Sequence, residues 1–392
     1  MITIDNRCTG CGLCSLVCPM GSISMSHNSE GFSIPIINKN TCVNCGICEK
    51  KCPNNNIELS YKSSYYACYC SNKNDLMSSS SGGLFITFAK YILDKGGYVS
   101  GCIFDDDFEA AHICTNDFNY VKKMCGSKYV QSNMIKHNVF EKILHLTKKE
   151  IPVLFTGTAC QINAIKQYVN NKQFLLTIDV LCHGVPSPLY FNYYCSFLKK
   201  KYKSNLTSIE FRNKEKRGWG SEHRTCLIFE KQGKTFKKRP FMPAYFCSFF
   251  WGINLRESCY LCHYATKKRI SDITIGDYWG YWNKYKKEFK DGISVCSINS
   301  EKGQQLFNAV TKQLGFFEPL DEHEAMGSNT NFYHPVIRPR QRDNFYIDIQ
   351  KQSYRKMRKR VFNCHNFKLI TKSCYGAVVP KWIRLFFRKI KQ

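Results

Sequence analysis

Residues 8–19 read CTGCGLCSLVCP, and residues 42–53 read CVNCGICEKKCP. Both stretches have the spacing C-x2-C-x2-C-x3-C-P, so the start of the chain contains an internal repeat. Cysteine runs of this spacing bind [4Fe–4S] clusters, and in two-cluster proteins the fourth cysteine of each run binds the other cluster. The repeat therefore predicts two [4Fe–4S] clusters within residues 1–60.

The same rule predicts which cysteines share a cluster. Three closely spaced thiolates face three corners of one cube, and the fourth thiolate points toward the other cube. One ligand set then comprises Cys8, Cys11, Cys14 and Cys52. The other set comprises Cys18, Cys42, Cys45 and Cys48. Structural zinc also takes four cysteines and is the alternative, although zinc motifs rarely carry this fourth cysteine followed by proline in two copies.

Bulk composition favours a reducing compartment. The 392 residues include 23 cysteines, and the most regular of them follow metal-ligand spacing rather than a disulfide pattern. No apolar run approaches the roughly 18 residues of a membrane-spanning helix, and the first residues lack the features of a signal peptide. We therefore expect a cytoplasmic protein.

The formal net charge is +27. A solvated surface rich in lysine explains such a charge without any functional role. The functional alternatives are attraction to an acidic partner, an anionic membrane surface or a polyphosphate-bearing cofactor. No nucleic-acid-binding motif accompanies the charge, so we expect no nucleic-acid partner.

After residue 62 the pattern changes to alternating strands and helices. Strands are predicted at residues 65–70, 98–104, 152–156, 174–181 and 293–298. Helices are predicted at residues 83–95, 159–168 and 301–314, and a hairpin at 225–238. This alternation predicts an α/β body with a parallel or mixed sheet covered on both faces, preceded by the small cluster-binding domain.

Two loops of the body have the composition of phosphate-binding loops. Residues 78–83 read SSSSGG before a predicted helix, whose positive end attracts anions. Residues 126–129 read GSKY and offer a glycine, a hydroxyl, a cation and an aromatic ring. The candidate cofactor-binding residues are Ser81, Gly82, Gly83, Gly126, Ser127, Lys128 and Tyr129. Ordinary solvated linkers are the alternative.

Four further cysteines occupy unusual positions. Cys160 lies in the first turn of a predicted helix, where the helix dipole favours a thiolate. Cys182 ends a predicted buried strand, and ligands bind at the carboxyl ends of such strands. Cys259 and Cys262 form a CxxC pair. Buried free cysteines are the alternative for the first two.

Seven segments, taken in order, resemble the coenzyme F-420 hydrogenase/dehydrogenase beta-subunit family. They are SGG at 81–83, GSKY at 126–129, GTACQ at 157–161, DVLCHG at 179–184, FRNK at 211–214 with GW at 218–219, CYLC at 259–262 and SDITIGDYWG at 271–280. The resemblance covers about residues 65–300, behind the cluster-binding repeat, which is similar to a bacterial-type ferredoxin. One departure is Ala159, where the family usually has proline.

The resemblance implies FAD and an iron–sulfur cluster in the body. We predict a third [4Fe–4S] cluster bound by Cys160, Cys182, Cys259 and Cys262. The implied activity is electron transfer between one-electron clusters and a two-electron acceptor through flavin. Substrates differ among relatives, many bacterial members of which accompany polysaccharide biosynthesis, so the substrate does not carry over.

Candidate substrate-binding or catalytic residues are His183, Arg212 and Lys214, with Trp219 and Asp277 beside them. A histidine hydrogen-bonded within a turn is the alternative for His183. We thus expect a flavin- and iron–sulfur-dependent oxidoreductase supplied by a ferredoxin-type donor or another redox partner protein. The alternative is an electron-relay subunit that docks on a separate catalytic partner.

Four regions are expected along the chain. They are the ferredoxin domain at 1–60, the two parts of the body at 61–148 and 149–330, and a basic helical tail at 331–392. As a helix, residues 380–392 would place apolar residues on one face and basic residues on the opposite face. That segment predicts a helix docked on its own domain, or, alternatively, peripheral attachment to a membrane surface.

Overall fold

The computed structural model describes residues 2–59, 63–170, 172–216, 218–219, 225–240, 243–286, 289–351 and 354–361. Its strands are β1 (Ile23–His27), β2 (Ser33–Ile37), β3 (Ser64–Cys70), β4 (Tyr98–Phe104), β5 (Ala110–Thr115), β6 (Val153–Gly157), β7 (Leu175–Val180), β8 (Asn205–Glu210), β9 (Cys226–Lys231), β10 (Lys234–Lys238), β11 (Ile273–Asp277), β12 (Ser294–Ile298) and β13 (Leu314–Leu320).

The α-helices begin with two single turns in the repeat and continue through the body. They are α1 (Leu13–Leu16), α2 (Ile47–Lys50), α3 (Lys73–Ser78), α4 (Leu84–Asp94), α5 (Phe118–Met124), α6 (Val139–Lys148), α7 (Ala159–Tyr168), α8 (Pro188–Tyr202), α9 (Ala244–Phe250), α10 (Glu257–Tyr260), α11 (Tyr281–Tyr285), α12 (Glu301–Val310), α13 (Glu322–Met326), α14 (Gln341–Lys351) and α15 (Tyr354–Val361).

The ferredoxin module, residues 2–59, contains an antiparallel β1–β2 hairpin and the two short helices. Each helix follows the first two cysteines of one repeat and contains the third. Gly12 precedes α1 with φ +81°, and Gly46 precedes α2 with φ +75°. A glycine adopts this left-handed conformation without steric cost, so both copies of the repeat turn into their helix in the same way.

The body is built on an eight-stranded sheet in the order β13-β3-β12-β11-β7-β6-β4-β5. The central strands β4, β6, β7 and β11 run parallel to one another. β5, β12 and β13 pair antiparallel with their neighbours. The sheet is therefore mixed, which confirms the predicted α/β class.

Helices cover both faces of this sheet. Leu154 of β6 packs on one face with α4 and α12 residues such as Phe88 and Phe307. Its neighbours Val153 and Phe155 point the other way and pack with α6 and α7. This alternation within one strand places a core on each side of the sheet.

A smaller sheet, β10-β9-β8, contains the predicted hairpin. The strand predicted at 98–104 and the helix predicted at 159–168 have the bounds of β4 and α7. The helix predicted at 301–314 comprises α12 and a 3-10 turn at Thr311–Gln313, but Leu314 begins β13 at the sheet edge. That part of the helix prediction is wrong.

Both predicted parts of the body contribute strands to the large sheet, since β3, β4 and β5 precede residue 148 and the others follow it. The division at that residue stays a prediction. Of the basic tail, α14 and α15 are described, and the amphipathic segment 380–392 lies outside the described residues. Among the described residues, no helix combines the length and the apolar character needed for a bilayer span.

Candidate functional site: three cysteine clusters and a cleft

The structure brings together the cysteines assigned to the first cluster. Burial and the neighbouring thiols of Cys8 and Cys52 raise the pKa of Cys14 to about 12. The pKa of Cys11 is raised by burial and by the thiols of Cys14, Cys8 and Cys52. The thiols of Cys8 and Cys52 therefore lie close to those of Cys11 and Cys14. We call these four residues the inner set.

The cysteines assigned to the second cluster surround one small cavity. Its lining includes Cys18, Cys42, Cys45 and Cys48. We call these four residues the outer set. Cys45 is exposed, as are Val43 at 60% and Met20 at 54% of their full area. The outer set thus lies beside apolar residues at the surface of the module.

The four body cysteines, which we call the body set, come from three separate segments. Cys160 lies in the first turn of α7, Cys182 lies just beyond β7, and the CxxC pair spans the end of α10. Burial raises the pKa of Cys182 well above its ordinary value, and the thiols of Cys259, Cys160 and Cys262 raise it further. The four thiols are therefore neighbours.

Backbone contacts explain why the body set converges. The segment after β7 pairs with the segment before α10 through an isolated bridge between Pro186 and Leu255. Arg256 N–H also donates to the carbonyl of Val185 at 3.0 Å. Gly184 has φ +132°, and a Cβ there would lie 2.7 Å from Leu255 Cδ1. A glycine is needed because the two segments approach so closely.

At Cys160, burial opposes the expected effect of the helix dipole. The first turn of α7 was expected to favour a thiolate at Cys160, yet burial raises the pKa of Cys160 to about 11, despite its contact with the Thr158 hydroxyl. Loss of water outweighs the helix dipole at this position. Among the described residues, no three His, Cys, Asp or Glu side chains can hold a single metal ion. The ligands of a [4Fe–4S] cubane lie farther apart than those of a single ion, because they surround four iron atoms.

Cys182 of the body set lines a cleft of about 790 Å³ at the carboxyl edge of the parallel strands. Residues at or just beyond the ends of β6, β7 and β11 line it, namely Thr156, Gly157, Thr158, Val180, Leu181, Cys182, Gly276 and Asp277. Ligands bind at this edge in open α/β sheets. The volume lies within the range of small-molecule and cofactor sites.

The two predicted anion-binding loops meet in this cleft. Ser127 N–H donates to the Ser80 hydroxyl at 2.9 Å, and both residues line the cleft. The N-terminal end of α4 follows the first loop, and Leu84 and Phe85 also line the cleft. A helix N-terminus and polar loop groups therefore face the same space.

Several residues of these loops are committed to packing. Gly82 lies against the sheet, where a Cβ would be 2.5 Å from the carbonyl oxygen of Cys68. The Ser81 hydroxyl donates to the Ile293 carbonyl at 2.8 Å. Gly83 and Ser81 line the cleft, whereas Gly82 does not. The glycines thus allow close packing of the loop beneath the sheet.

Lys128 lines the cleft, but its ammonium group has partners within the chain. Nζ lies 2.6–3.1 Å from the carbonyl oxygens of Lys123, Met124, Cys125 and Gly126. These carbonyls end α5, where a cation is favourable. Burial lowers the pKa of Lys128. The structure gives this lysine a helix-capping role that the sequence did not indicate.

Arg212 and Asp277 form a bidentate ion pair in the cleft wall. Arg212 Nη1 and Nη2 lie 2.9 Å and 3.1 Å from the Asp277 carboxylate oxygens. Trp219 Nε1 donates to the same carboxylate at 2.9 Å. The Trp219 ring stacks on Trp279, which lines the cleft and is 40% exposed. Three predicted substrate residues thus contact one another, and they support an aromatic surface.

Lys214 does not line the cleft. Its side chain is 2% exposed, and Nζ donates to the carbonyls of Leu76, Ser81 and Asp291. These contacts stabilise the serine-rich loop at residues 78–83. We therefore assign Lys214 to support of this loop rather than to contact with a substrate.

His183 lines the cleft between the Phe249 carbonyl and the Asn331 side-chain amide. Its Nε2 lies 3.2 Å from the Phe249 carbonyl, and Nδ1 lies 3.2 Å from the Asn331 side chain. Burial lowers its pKa, so the ring is neutral near pH 7. This is the hydrogen-bonded arrangement that the sequence left open as the alternative to a catalytic role.

The ferredoxin module packs against the body through its inner set. Arg256 Nε donates to the Cys8 carbonyl at 2.7 Å. Asn163 Nδ2 donates to Pro53 O, Asn56 O and the Tyr264 hydroxyl at 2.8–2.9 Å. Burial raises the pKa of Tyr264, and the thiols of Cys160, Cys11 and Cys262 raise it further. Tyr264 therefore lies near both the inner set and the body set.

Comparison with known proteins agrees with these features. Residues 7–56 match the family model "4Fe-4S dicluster domain", which supports two [4Fe–4S] clusters there. Residues 152–322 match the family model for the carboxyl-terminal part of the coenzyme F420 hydrogenase/dehydrogenase beta subunit. No curated protein matches the chain.

Among solved structures, the chain is similar to a chain of the F420-reducing [NiFe] hydrogenase complex from Methanosarcina barkeri. The identity is 14%, the TM-score is 0.44, and the match covers 77% of this chain and 88% of that chain. The family matches confirm the resemblance, and this chain is an iron–sulfur, oxidoreductase-like electron-transfer protein that is related, over residues 152–322, to the coenzyme F420 hydrogenase/dehydrogenase beta subunit.

Proposed function

We propose that this protein is a flavin- and iron–sulfur-dependent oxidoreductase that delivers electrons to a two-electron acceptor. A third [4Fe–4S] cluster is bound by the body set, and FAD occupies the cleft. The observation that supports this most is the position of the body set. Cys182 borders the cleft, and Cys160 and Cys262 lie near Tyr264, which contacts the ferredoxin module through Asn163.

The residues of the body set are suited to bind the third cluster. The four cysteines of the body set are neighbours, and no carboxylate or histidine is among the groups that raise the pKa of Cys182. Thiolates are the usual ligands of a cubane. When bound, the clusters supply one-electron transfer, and the flavin exchanges one or two electrons. Asn163 and Arg256 hold the inner set against the body, so the inner set lies nearer to the cleft than the outer set does.

The cleft fits FAD in size and in chemistry. The Ser80–Ser127 contact and the start of α4 provide hydroxyl and N–H groups for phosphate oxygens. Trp279, Phe249 and Phe250 line the cleft and offer aromatic surfaces to a planar ring. Of the residues predicted to bind the cofactor, Ser81, Gly83, Gly126, Ser127, Lys128 and Tyr129 line the cleft.

The acceptor is not assigned to a compound. Arg212 would present a guanidinium edge to an anionic group only if its pairing with Asp277 weakened, because both its terminal nitrogens are engaged. The donor would be a ferredoxin-type protein that docks beside the outer set. A place in polysaccharide biosynthesis stays a prediction from the resemblance.

Iron content tests the third cluster. The full chain, reconstituted anaerobically with iron and sulfide, should bind about twelve iron atoms, as three cubes require. Cys182→Ser should bind about eight and should keep the two module clusters reducible. Cys195→Ser is the matched control, since Cys195 is buried in α8 away from the three sets, and it should bind about twelve. Twelve iron atoms in Cys182→Ser would contradict the assignment.

The relay-subunit alternative is favoured by the exposed apolar residues near the outer set, Met20, Ile36 and Val43. Access to the flavin separates the two functions. In an oxidoreductase with its own substrate, sulfite should reach the bound flavin and bleach its absorbance. In a relay subunit, the flavin would be covered by protein, so sulfite should leave its absorbance unchanged.

A further inference from the structure

Arg256 of the body places a buried positive charge against the inner set. The residue is 5% exposed. Its Nε donates to the Cys8 carbonyl at 2.7 Å, and a Cβ on Gly10 would lie 3.0 Å from Nη1. On the other side, the Arg256 carbonyl accepts a hydrogen bond from Cys259 N–H at 2.9 Å. The guanidinium group therefore contacts the loop that carries three inner-set cysteines, and its backbone adjoins the body set.

This charge lacks a counter-ion within the described part of the chain. No carboxylate there forms an ion pair with the guanidinium group, and Nη1 is buried without a hydrogen-bond partner. The ring of Phe32 lies 5.4 Å from Cζ. By contrast, the buried Arg342 pairs with Glu30 at 2.7 Å. A buried water would satisfy the hydrogen bond of Nη1 but would leave the charge unbalanced, and an unbalanced buried charge is costly.

A cluster bound by the inner set would supply the missing negative charge. A [4Fe–4S] cluster with four thiolates is anionic, and reduction makes it more negative. Burial raises the pKa values of Cys11, Cys14 and Cys52, whereas Cys45 of the outer set is exposed. Because exclusion of water disfavours added negative charge, burial alone would make the inner cluster harder to reduce than the outer cluster. An electron that arrived at the outer cluster would then remain there.

The charges of the module itself do not offset this difference. Residues 1–59 contain four lysines or arginines and four aspartates or glutamates, and no charged side chain lines the cavity of the outer set. Two other cations adjoin inner-set cysteines in the sequence. Arg7 is paired with Asp5 and its side chain is 52% exposed, and Lys51 is partly exposed. Solvent screens such charges, so the buried charge of Arg256 is expected to have the larger effect.

We propose that Arg256 is the counter-charge of the inner cluster and raises its reduction potential, so that electrons pass from the outer cluster toward the body. In this step the outer cluster loses one electron and the inner cluster gains it, while Arg256 keeps its proton. The inference requires only the two clusters of the module, which the family match supports. It depends on neither FAD nor the third cluster.

An anaerobic redox titration of the full-length holoprotein, followed by electron paramagnetic resonance, measures the potential of each cluster. Arg256→Met removes the charge and should lower the inner-cluster potential by about 59 mV or more, which is a tenfold change in a one-electron equilibrium. Arg256→Lys keeps the charge and should restore most of the wild-type value. Lys51→Met is the matched control, because it removes a partly exposed charge next to Cys52, and its effect should be smaller.

The wild-type protein provides a second test that requires no variant. Soluble paramagnetic ions should affect the signal of the exposed outer cluster most, which identifies it. The inner cluster should then have a potential at or above that of the outer cluster. A potential well below it would overturn the inference even if the variants failed to fold.

Three results with the variants would also overturn the inference. The first is an unchanged inner-cluster potential in Arg256→Met. The second is an equal decrease in Arg256→Met and Arg256→Lys, which would assign the effect to the hydrogen bond with Cys8 rather than to the charge. The third is an equal decrease in Lys51→Met. Absence of flavin or of the third cluster would instead contradict the proposed function and leave this inference standing.

Discussion

The ferredoxin module and the body position their cysteines by different means. In the module, all eight predicted ligands lie within residues 8–52, and each triplet turns directly into a short helix. In the body, four cysteines between residues 160 and 262 meet only after β7, α7 and α10 have taken their places. The module depends on local backbone geometry, whereas the body set depends on the tertiary fold. The two kinds of site should therefore fail under different perturbations.

The largest effect is expected from Gly184→Val. The new Cβ would lie 2.7 Å from Leu255 Cδ1 and 3.2 Å from Cys259 Cβ, at a φ of +132°. The CxxC segment would be displaced from Cys182, so the chain should lose about four of twelve iron atoms and retain the module clusters. Gly96→Ala is the control, because φ there is +73° but no described atom lies within 4 Å of the new Cβ. Equal iron loss in both variants would show that strain alone, rather than the contact with Cys259, is responsible.

Acidification should separate the body set from the outer set. Cluster binding requires thiolates and releases protons. Burial raises the pKa of Cys259 to about 12, so its proton is retained to high pH, and affinity for the cluster falls as pH is lowered. For Cys18, slight burial is outweighed by backbone hydrogen bonds from Ser22 and Met20, which lower its pKa.

We therefore expect the body cluster to be lost before the outer cluster as pH is lowered from alkaline to acidic values. Iron content and visible absorbance of wild type and Cys182→Ser, measured across this range, check the order. Simultaneous loss of all iron would contradict it.

Asn163→Ala should weaken the junction between module and body without removing a cysteine. The side chain is 1% exposed and donates to two module carbonyls and to Tyr264. Its loss leaves buried acceptors unpaired, which should lower the free energy of unfolding by about 2–4 kcal/mol. Asn308→Ala, at an exposed helical position, should change it by less than about 0.5 kcal/mol.

Chemical denaturation of the holoprotein measures both variants. Iron content of Asn163→Ala should stay near twelve atoms, because all three cysteine sets are intact. A variant as stable as wild type would show that the junction is held elsewhere.

The smallest effect is expected from Tyr264→Phe. The hydroxyl accepts one hydrogen bond from Asn163, so its removal should cost about 1 kcal/mol in the free energy of unfolding. The ring remains between the inner set and the body set, and electron transfer from module to flavin should change little. A large decrease in the transfer rate, measured by rapid mixing with a reduced donor, would indicate that the hydroxyl itself takes part.

Much of the fold could be predicted because its signals are local. β4 and α7 follow from an apolar run and from helical spacing, and their bounds were predicted correctly. β13 was missed because it contains Gly315 and Pro319 and follows a helix closely. Within the described part of the chain it pairs on one side, with β3, and an edge strand tolerates proline.

The candidate site divides in the same way. The body cysteines could be proposed from strand ends and a CxxC pair, since both are visible in the sequence. The partners of Lys128 and Lys214 could not, because they are backbone carbonyls, and in the case of Lys214 they come from distant loops. Arg256 also gave no signal, since its burial beside Cys8 depends on how the module packs against the body. Residues whose partners are main-chain atoms are the hardest to interpret from a sequence.

The exposure of the outer set has a consequence for handling the protein in air. Cys45 is exposed, whereas Cys182 is half-buried in the cleft wall. Dioxygen would therefore reach the outer cluster first and degrade it while the others survive. A sample purified aerobically would then contain about eight iron atoms, the same number expected when the body cluster is missing. Only preparations kept free of oxygen distinguish damage at the tip of the module from a cluster that the body never bound.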